Sequence, residues 1–167
     1  MNKPRKFSQA SLASFLMLLV GLFVLSGTLR ASDSPVFTKV IEDGEYKEVL
    51  EAVKDVIKGK GINIAHTLPP SEMLERTGPA FGIDKPVLKN GEIVEFCSAK
   101  ISHQLIMANP ENITLCPFTL SVYELASAPN QIRITYRKPH VIDDASKEAV
   151  EQMVKLLDDI IAEAADW

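Results

Sequence analysis

Two apolar stretches in the C-terminal half, ITLCPFTLSVYEL (Ile113–Leu125) and QIRITYRKP (Gln131–Pro139), flank the turn-rich SAPN at Ser127–Asn130. A period-two pattern on both sides of so short a break predicts a β-hairpin. Cys116, Phe118, Leu120 and Val122 share one face of the first strand, the longest expected in the chain. Ile132, Ile134 and Tyr136 point inward from the second, and Arg133 and Arg137 lie on its other face. The segment that follows, DDASKEAVEQMVKLLDDIIAEAADW, switches to helical period. Asp143 or Asp144 caps it, and Val150, Met153, Val154, Leu157, Ile160 and Ile161 form its apolar stripe. A hairpin and an amphipathic helix in this order commit the chain to a sheet with helices laid on it.

The upstream pattern extends that plan. VFTKVI from Val36 reads as a strand. The next segment carries a helical stripe of Tyr46, Val49, Leu50, Val53, Val56 and Ile57, with Asp43 as N-cap and Gly59 or Gly61 as the stop. INIAH is a second strand with Ile62, Ile64 and His66 on one face, and SEMLERTGPAFGI is a short helix capped by Ser71 and closed by Gly78 and Pro79. A turn at Asn90-Gly91 leads into EIVEFC, a third strand, and SAKISHQLIMANP is a helix with Ser98 as cap. We read an α+β fold: one domain from about Ser34, with a mixed β-sheet of about five strands and helices packed mainly on one face. A parallel Rossmann-like sheet would want a glycine-rich phosphate loop after the first strand, where EDGEYK supplies a single glycine.

Residues 1–31 are set apart by composition. Lys3, Arg5 and Lys6 precede an uncharged run, Leu12–Leu29, which is the pattern of an export signal. Its length exceeds an ordinary signal core and just reaches the roughly 18–20 residues that span a bilayer. Two outcomes follow: cleavage after Ala31, at a poor small-x-small site, or retention of residues 12–29 as an inner-membrane anchor. In both, the domain is periplasmic or secreted, and the membrane is touched only through an uncleaved N-terminal segment.

The exported part is strongly acidic. Removing Lys3, Arg5, Lys6 and Arg30 from the 18 basic residues leaves 14 against 22 acidic ones, a net charge of −8. Such a surface repels phosphate backbones, so nucleic acid is not an expected partner.

His66 closing a strand, FCSA at Phe96–Ala99 leading into a helix, the LCPFTLSVYE strand at Leu115–Glu124 and ITYRKP ending in the next strand together form a recurrent pattern. It resembles the bacterial domain of unknown function 302 family over Val36 to Ile161. The resemblance implies a small α+β domain, often oligomeric, with no assigned biochemical role, whose exported members look like accessories of redox or sulfur metabolism. It supplies no catalytic residues. Cys97 and Ala99 stand where that family usually has a small residue and proline, and Cys116 where many relatives have leucine.

Cys97 and Cys116 are the only cysteines. An even count in an exported chain suits a disulfide, and closing a loop of about 20 residues is worth on the order of 3 kcal/mol. Strand parity opposes it, because Cys116 shares an apolar face while Cys97 alternates with Phe96. Two independent small residues, or a functional thiol, are the other readings. A functional thiol would be Cys97, at a helix N-terminus that lowers its pKa, with Cys116 as the resolving partner. The spacing is not Cys-x-x-Cys, and Cys116-Pro117 admits a cis bond.

His103 and Met107 sit one turn apart on the side opposite the stripe of Ile101, Leu105 and Ala108. Histidine with methionine at that spacing suits copper or haem iron, a partner-covered patch, or plain solvated surface. Any haem would be non-covalent, since no Cys-x-x-Cys-His occurs. His66 is either a buried histidine satisfying backbone groups or a ligand near Cys97. Glu124 is expected to be solvated at its strand end, and Asn112-Ile113-Thr114 matches a glycosylation acceptor that we discount in a chain of bacterial type. No Gly-x-Ser-x-Gly, His-Glu-x-x-His or P-loop pattern occurs.

Three functions therefore stand open. One is a non-enzymatic ligand-binding or accessory domain, homo-oligomeric, using His66 and Cys97 or His103 and Met107 for haem, copper or a sulfur species. Another is a thiol-disulfide redox protein of Cys97 and Cys116 with a periplasmic redox partner. The third is a structural interaction module.

Overall fold

The computed structural model describes residues 34–166; the expected signal or anchor at 1–31 lies outside them. Five strands form one sheet: β1 (Val36–Ile41), β2 (Ile64–Leu68), β3 (Leu88–Phe96), β4 (Phe118–Leu125) and β5 (Ala128–Arg137), in the order β1-β5-β4-β3-β2. Four helices connect or follow them: α1 (Tyr46–Gly59), α2 (Pro70–Thr77), α3 (Ala99–Ala108) and α4 (Lys147–Ala165). The α+β class and the five strands are as the sequence predicts. The sheet is antiparallel at every pairing rather than mixed. The reason lies in the connections: the chain leaves β3 at Phe96, runs through α3 and a 3₁₀ turn at Pro110–Leu115, and re-enters β4 at Phe118, the residue paired with Phe96. A helix followed by a reversing turn returns the chain to the end of the sheet it left, so β4 pairs antiparallel with β3; the β1–α1–β2 connection does cross the sheet, but it joins the two edge strands, which do not pair with each other.

One sheet face carries the core. Val94, Phe96, Phe118, Leu120, Val122, Ile132 and Ile134 are fully buried from the strands. Against them lie Val53 and Ile57 of α1, Leu105 of α3, and Leu157 and Ile160 of α4, all fully buried. Each such side chain contributes roughly 1.5–3 kcal/mol by leaving water. The stripes of α1 and α4 match the sequence pattern, with Ala149 and Ala164 of α4 also buried and Val154 only half-buried. Lys60 pairs with Glu163, and the Tyr136 hydroxyl donates to Asp158 at 2.7 Å, joining α4 to its neighbours. Among the described residues, no helix is long and apolar enough to cross a membrane.

Several local expectations shift. Asp43 does not cap α1: it stands in the left-handed region at φ 54, and Glu45 takes the N-cap position without a side-chain bond. Ser71 lies inside α2, and its hydroxyl donates instead to the Gly91 carbonyl at 3.1 Å. Asn90 and Gly91 run within β3, next to a bulge between Leu88 and Asn90. The expected long strand from Ile113 is shorter, since Pro110–Leu115 form the 3₁₀ turn. In that turn Asn112 is 1% exposed and its amide donates to the Leu105 carbonyl and the Ser146 hydroxyl, so the acceptor motif is packed away.

Candidate functional site

Phe96 and Phe118 form the last rung of the β3–β4 ladder, their rings edge to face with centroids 6.0 Å apart. Beyond that rung the two chains continue side by side, and the residues that emerge are Cys97 from β3 and Cys116-Pro117, joined by a cis peptide bond, leading into β4. The alternation predicts that strand parity separates the cysteines, but it does not, because neither lies within a strand. Ser98 caps α3, its hydroxyl accepting from the Ile101 amide at 3.5 Å. The first turn of α3 then carries Ser102 back over the strand ends, with its amide bonded to the Ser98 carbonyl at 2.8 Å. The Ser102 hydroxyl lies 3.2 Å from the Cys116 sulfur.

The two thiols are free and close enough to influence each other's charge, Cys97 exposed and Cys116 half-buried. Partial desolvation pushes the Cys97 thiol up, and the neighbouring Cys116 thiol adds to the rise; the Phe118 amide and the Ser102 hydroxyl pull the other way and are outweighed. The lowering expected from the helix N-terminus is thus reversed. A second sulfur beside the first penalises two thiolates in one place, and the α3 amide of Ile101 is already occupied by the Ser98 hydroxyl. Such a pair can hold two protons, one disulfide, or a bond to another protein's sulfur.

The other candidates lie elsewhere. A bulge between Ile64 and His66 turns His66 out of the face of Ile64, onto the side of the sheet away from the core, where it is exposed and paired in register with Glu95. The buried histidine read from INIAH is therefore replaced by a solvated one, because β2 is an edge strand whose register slips by one residue. His66 forms no hydrogen bond with either thiol among the described residues. His103 and Met107 share the exposed side of α3, Met107 being 84% exposed. Among the described residues no group of three or more His, Cys, Asp or Glu side chains clusters as a metal site.

Ser102 was not singled out by the sequence pattern; its signal is its place one turn after the Ser98 cap, on the side facing the preceding strand. Glu124, expected to be solvated, is 2% exposed. Its carboxylate accepts from Lys89 Nζ at 3.0 Å, Asn90 Nδ2 at 2.7 Å and the Asn130 amide at 2.9 Å. Burial works against its charge, but those donors win and hold its carboxyl below the usual carboxylate range.

A small α+β domain with an open five-stranded antiparallel sheet, α1, α3 and α4 on one face and two free thiols at one strand end is the class this chain defines. It belongs to the family described as domain of unknown function DUF302, whose model matches residues 37–164. A solved structure, the uncharacterized conserved protein DUF302 from Bacillus stearothermophilus, is similar over 77% of this chain and 97% of its own, with a TM-score of 0.63 and 20% sequence identity. At that identity the likeness is one of fold. No curated protein matches.

Proposed function

We propose that the domain is an exported thiol-disulfide exchange protein in which Cys97 and Cys116 carry two electrons to or from a partner's cysteine pair. The observation that carries this reading is that two free cysteines stand as neighbours at one strand end, one of them exposed. In the reducing direction, the Cys97 thiolate attacks a partner disulfide, forming a mixed disulfide and releasing one partner thiolate. Cys116 then gives up its proton and attacks the Cys97 sulfur, releasing the second partner thiolate. This chain ends with one disulfide and the partner with two thiols, so two electrons pass and the protons balance. Cys97 makes the first contact because it is exposed; Cys116, half-buried under Ser102, resolves.

The raised Cys97 thiol fits a pair whose reduced form is not held by a stabilised thiolate, the opposite of a strongly oxidising pair. A reductant or electron carrier in an oxidising compartment suits that poise. Equilibration with dithiol buffers of graded potential, followed by alkylation and mass measurement, tests the proposal. A single two-electron transition, abolished by either Cys97→Ser or Cys116→Ser, is the expected result. Failure of oxidant to join the two sulfurs overturns it, as does a disulfide that resists excess dithiol.

A further inference from the structure

The segment that joins β2 to β3 is pinned at both ends and open between them. Near its start the Ser71 hydroxyl donates to the Gly91 carbonyl at 3.1 Å, and at its end the Val87 carbonyl accepts from the Ala126 amide at 2.9 Å. The loop after α2 is closed by its own backbone, with the Ile83 amide on the Gly78 carbonyl at 3.0 Å and the Gly82 amide on the Pro79 carbonyl at 3.2 Å. Glycine is required at position 78, where a Cβ would lie 2.8 Å from the Ile83 carbonyl oxygen. No side chain of α2 is buried, and Met73, Leu74, Phe81, Ile83 and Val87 are all exposed, Phe81 at 77% and Val87 at 70%. They line a cavity of about 480 Å³, within the roughly 300–1,000 Å³ of small-molecule sites. A backbone fixed in this way keeps the apolar side chains from collapsing onto one another, so the cavity is formed before any ligand enters.

We infer that this cavity binds a small organic cation with an apolar body, an alkyl- or arylamine in its protonated form. Charge selects that class. Glu75 and Asp84 are the charged residues of the lining, and neither forms an ion pair among the described residues. Their neighbours Arg76 and Lys85 are not part of the wall. An anion would therefore meet two carboxylates and no cation, whereas an ammonium group gains both carboxylates while its hydrocarbon covers the apolar wall. Phe81 supplies an exposed ring that attracts a cation, and Met73 a flexible thioether that adapts to the ligand's shape. The inference is independent of the redox reading, since it uses neither cysteine.

Calorimetric titration of the full-length protein with hexylammonium, hexanol and hexyl sulfate tests it, because the three probes share one chain and differ in charge. Hexylammonium should bind with a dissociation constant at least about 10-fold below those of the other two. Its amide NMR shifts should fall on residues 73–87. Glu75→Gln combined with Asp84→Asn should bring hexylammonium to the level of hexanol and leave hexanol unchanged, and Phe81→Ser should weaken both by about 5-fold or more. All three positions are exposed, so each variant should keep the wild-type urea midpoint, which verifies its fold. Equal binding of the three probes overturns the inference, as does tighter binding of hexyl sulfate or no binding of hexylammonium. So does a preference that survives the double variant, a Phe81→Ser variant that binds as wild type does, or shifts confined to residues outside 73–87.

Discussion

At the scale of single residues, proximity is what sets the chemistry of this chain. Cys97 has a helix N-terminus nearby, which lowers a thiol pKa, but partial desolvation and then the neighbouring Cys116 sulfur raise it, and the direction is upward. Two outcomes follow for alkylation measured against pH. The Cys97 rate should climb through a pH above the ordinary thiol range, and Cys116→Ser should bring that midpoint down, since the competing thiolate is gone. An unchanged midpoint in Cys116→Ser would mean that desolvation alone sets it. Glu124 is the opposite case, a carboxyl held low by three donors. Because its folded pKa lies below its unfolded one, the stability it lends is present above the ordinary carboxylate range and is lost as pH falls through the folded value. Glu124→Ala should cost about 2–3 kcal/mol at neutral pH, by leaving the Asn130 amide and the Asn90 side chain without their acceptor. Urea unfolding of both proteins at neutral and acidic pH measures the cost, and the gap between them should narrow in acid.

At the scale of elements, α3 shows how one helix serves two ends. Its buried side fixes it to the sheet through Leu105, while its first turn delivers Ser102 to the thiols. Leu105→Ala should therefore destabilise the domain by about 2–5 kcal/mol, whereas Met107→Ala on the exposed side should change stability by less than about 0.5 kcal/mol. A large loss at Met107, read from urea midpoints, would place that side chain against a partner. The helical stripes were legible in the sequence because a period of 3.6 is a local property: Val53, Val56, Leu157 and Ile160 announce their faces without knowledge of the rest. What the pattern could not carry was anything that depends on how strands end. Cys116 looked like one more residue of a long strand, although Pro110 and the residues after it make a 3₁₀ turn. His66 looked buried because alternation assumes an unbroken register, and a bulge on an edge strand breaks it. Glu124 looked solvated because two of its donors, Lys89 and Asn90, come from β3, 35 and 34 residues back in sequence, and the third, the Asn130 amide, reaches it only once the hairpin closes.

At the scale of the whole molecule, the thiol pair sits where a covalent link would change stability without being needed for the fold. β3 and β4 are already joined along the ladder from Leu88–Leu125 to Phe96–Phe118, and the core beneath them is built from residues of all five strands and three helices. Joining Cys97 to Cys116 would close the loop that holds α3 and the 3₁₀ turn, removing on the order of 3 kcal/mol of chain entropy from the unfolded state. With a urea slope of about 1–3 kcal/mol per molar, oxidation should move the unfolding midpoint up by about 1–3 M, and reduction should leave a cooperative transition in place. The reason is that burial, not the sulfur link, organises the sheet. Matched urea titrations of the oxidised protein, the reduced protein and Cys97→Ser measure this, and the last two should coincide. A reduced protein with no cooperative transition would make the sulfurs a staple on which the fold depends, and a redox carrier cannot cycle through a state in which it unfolds.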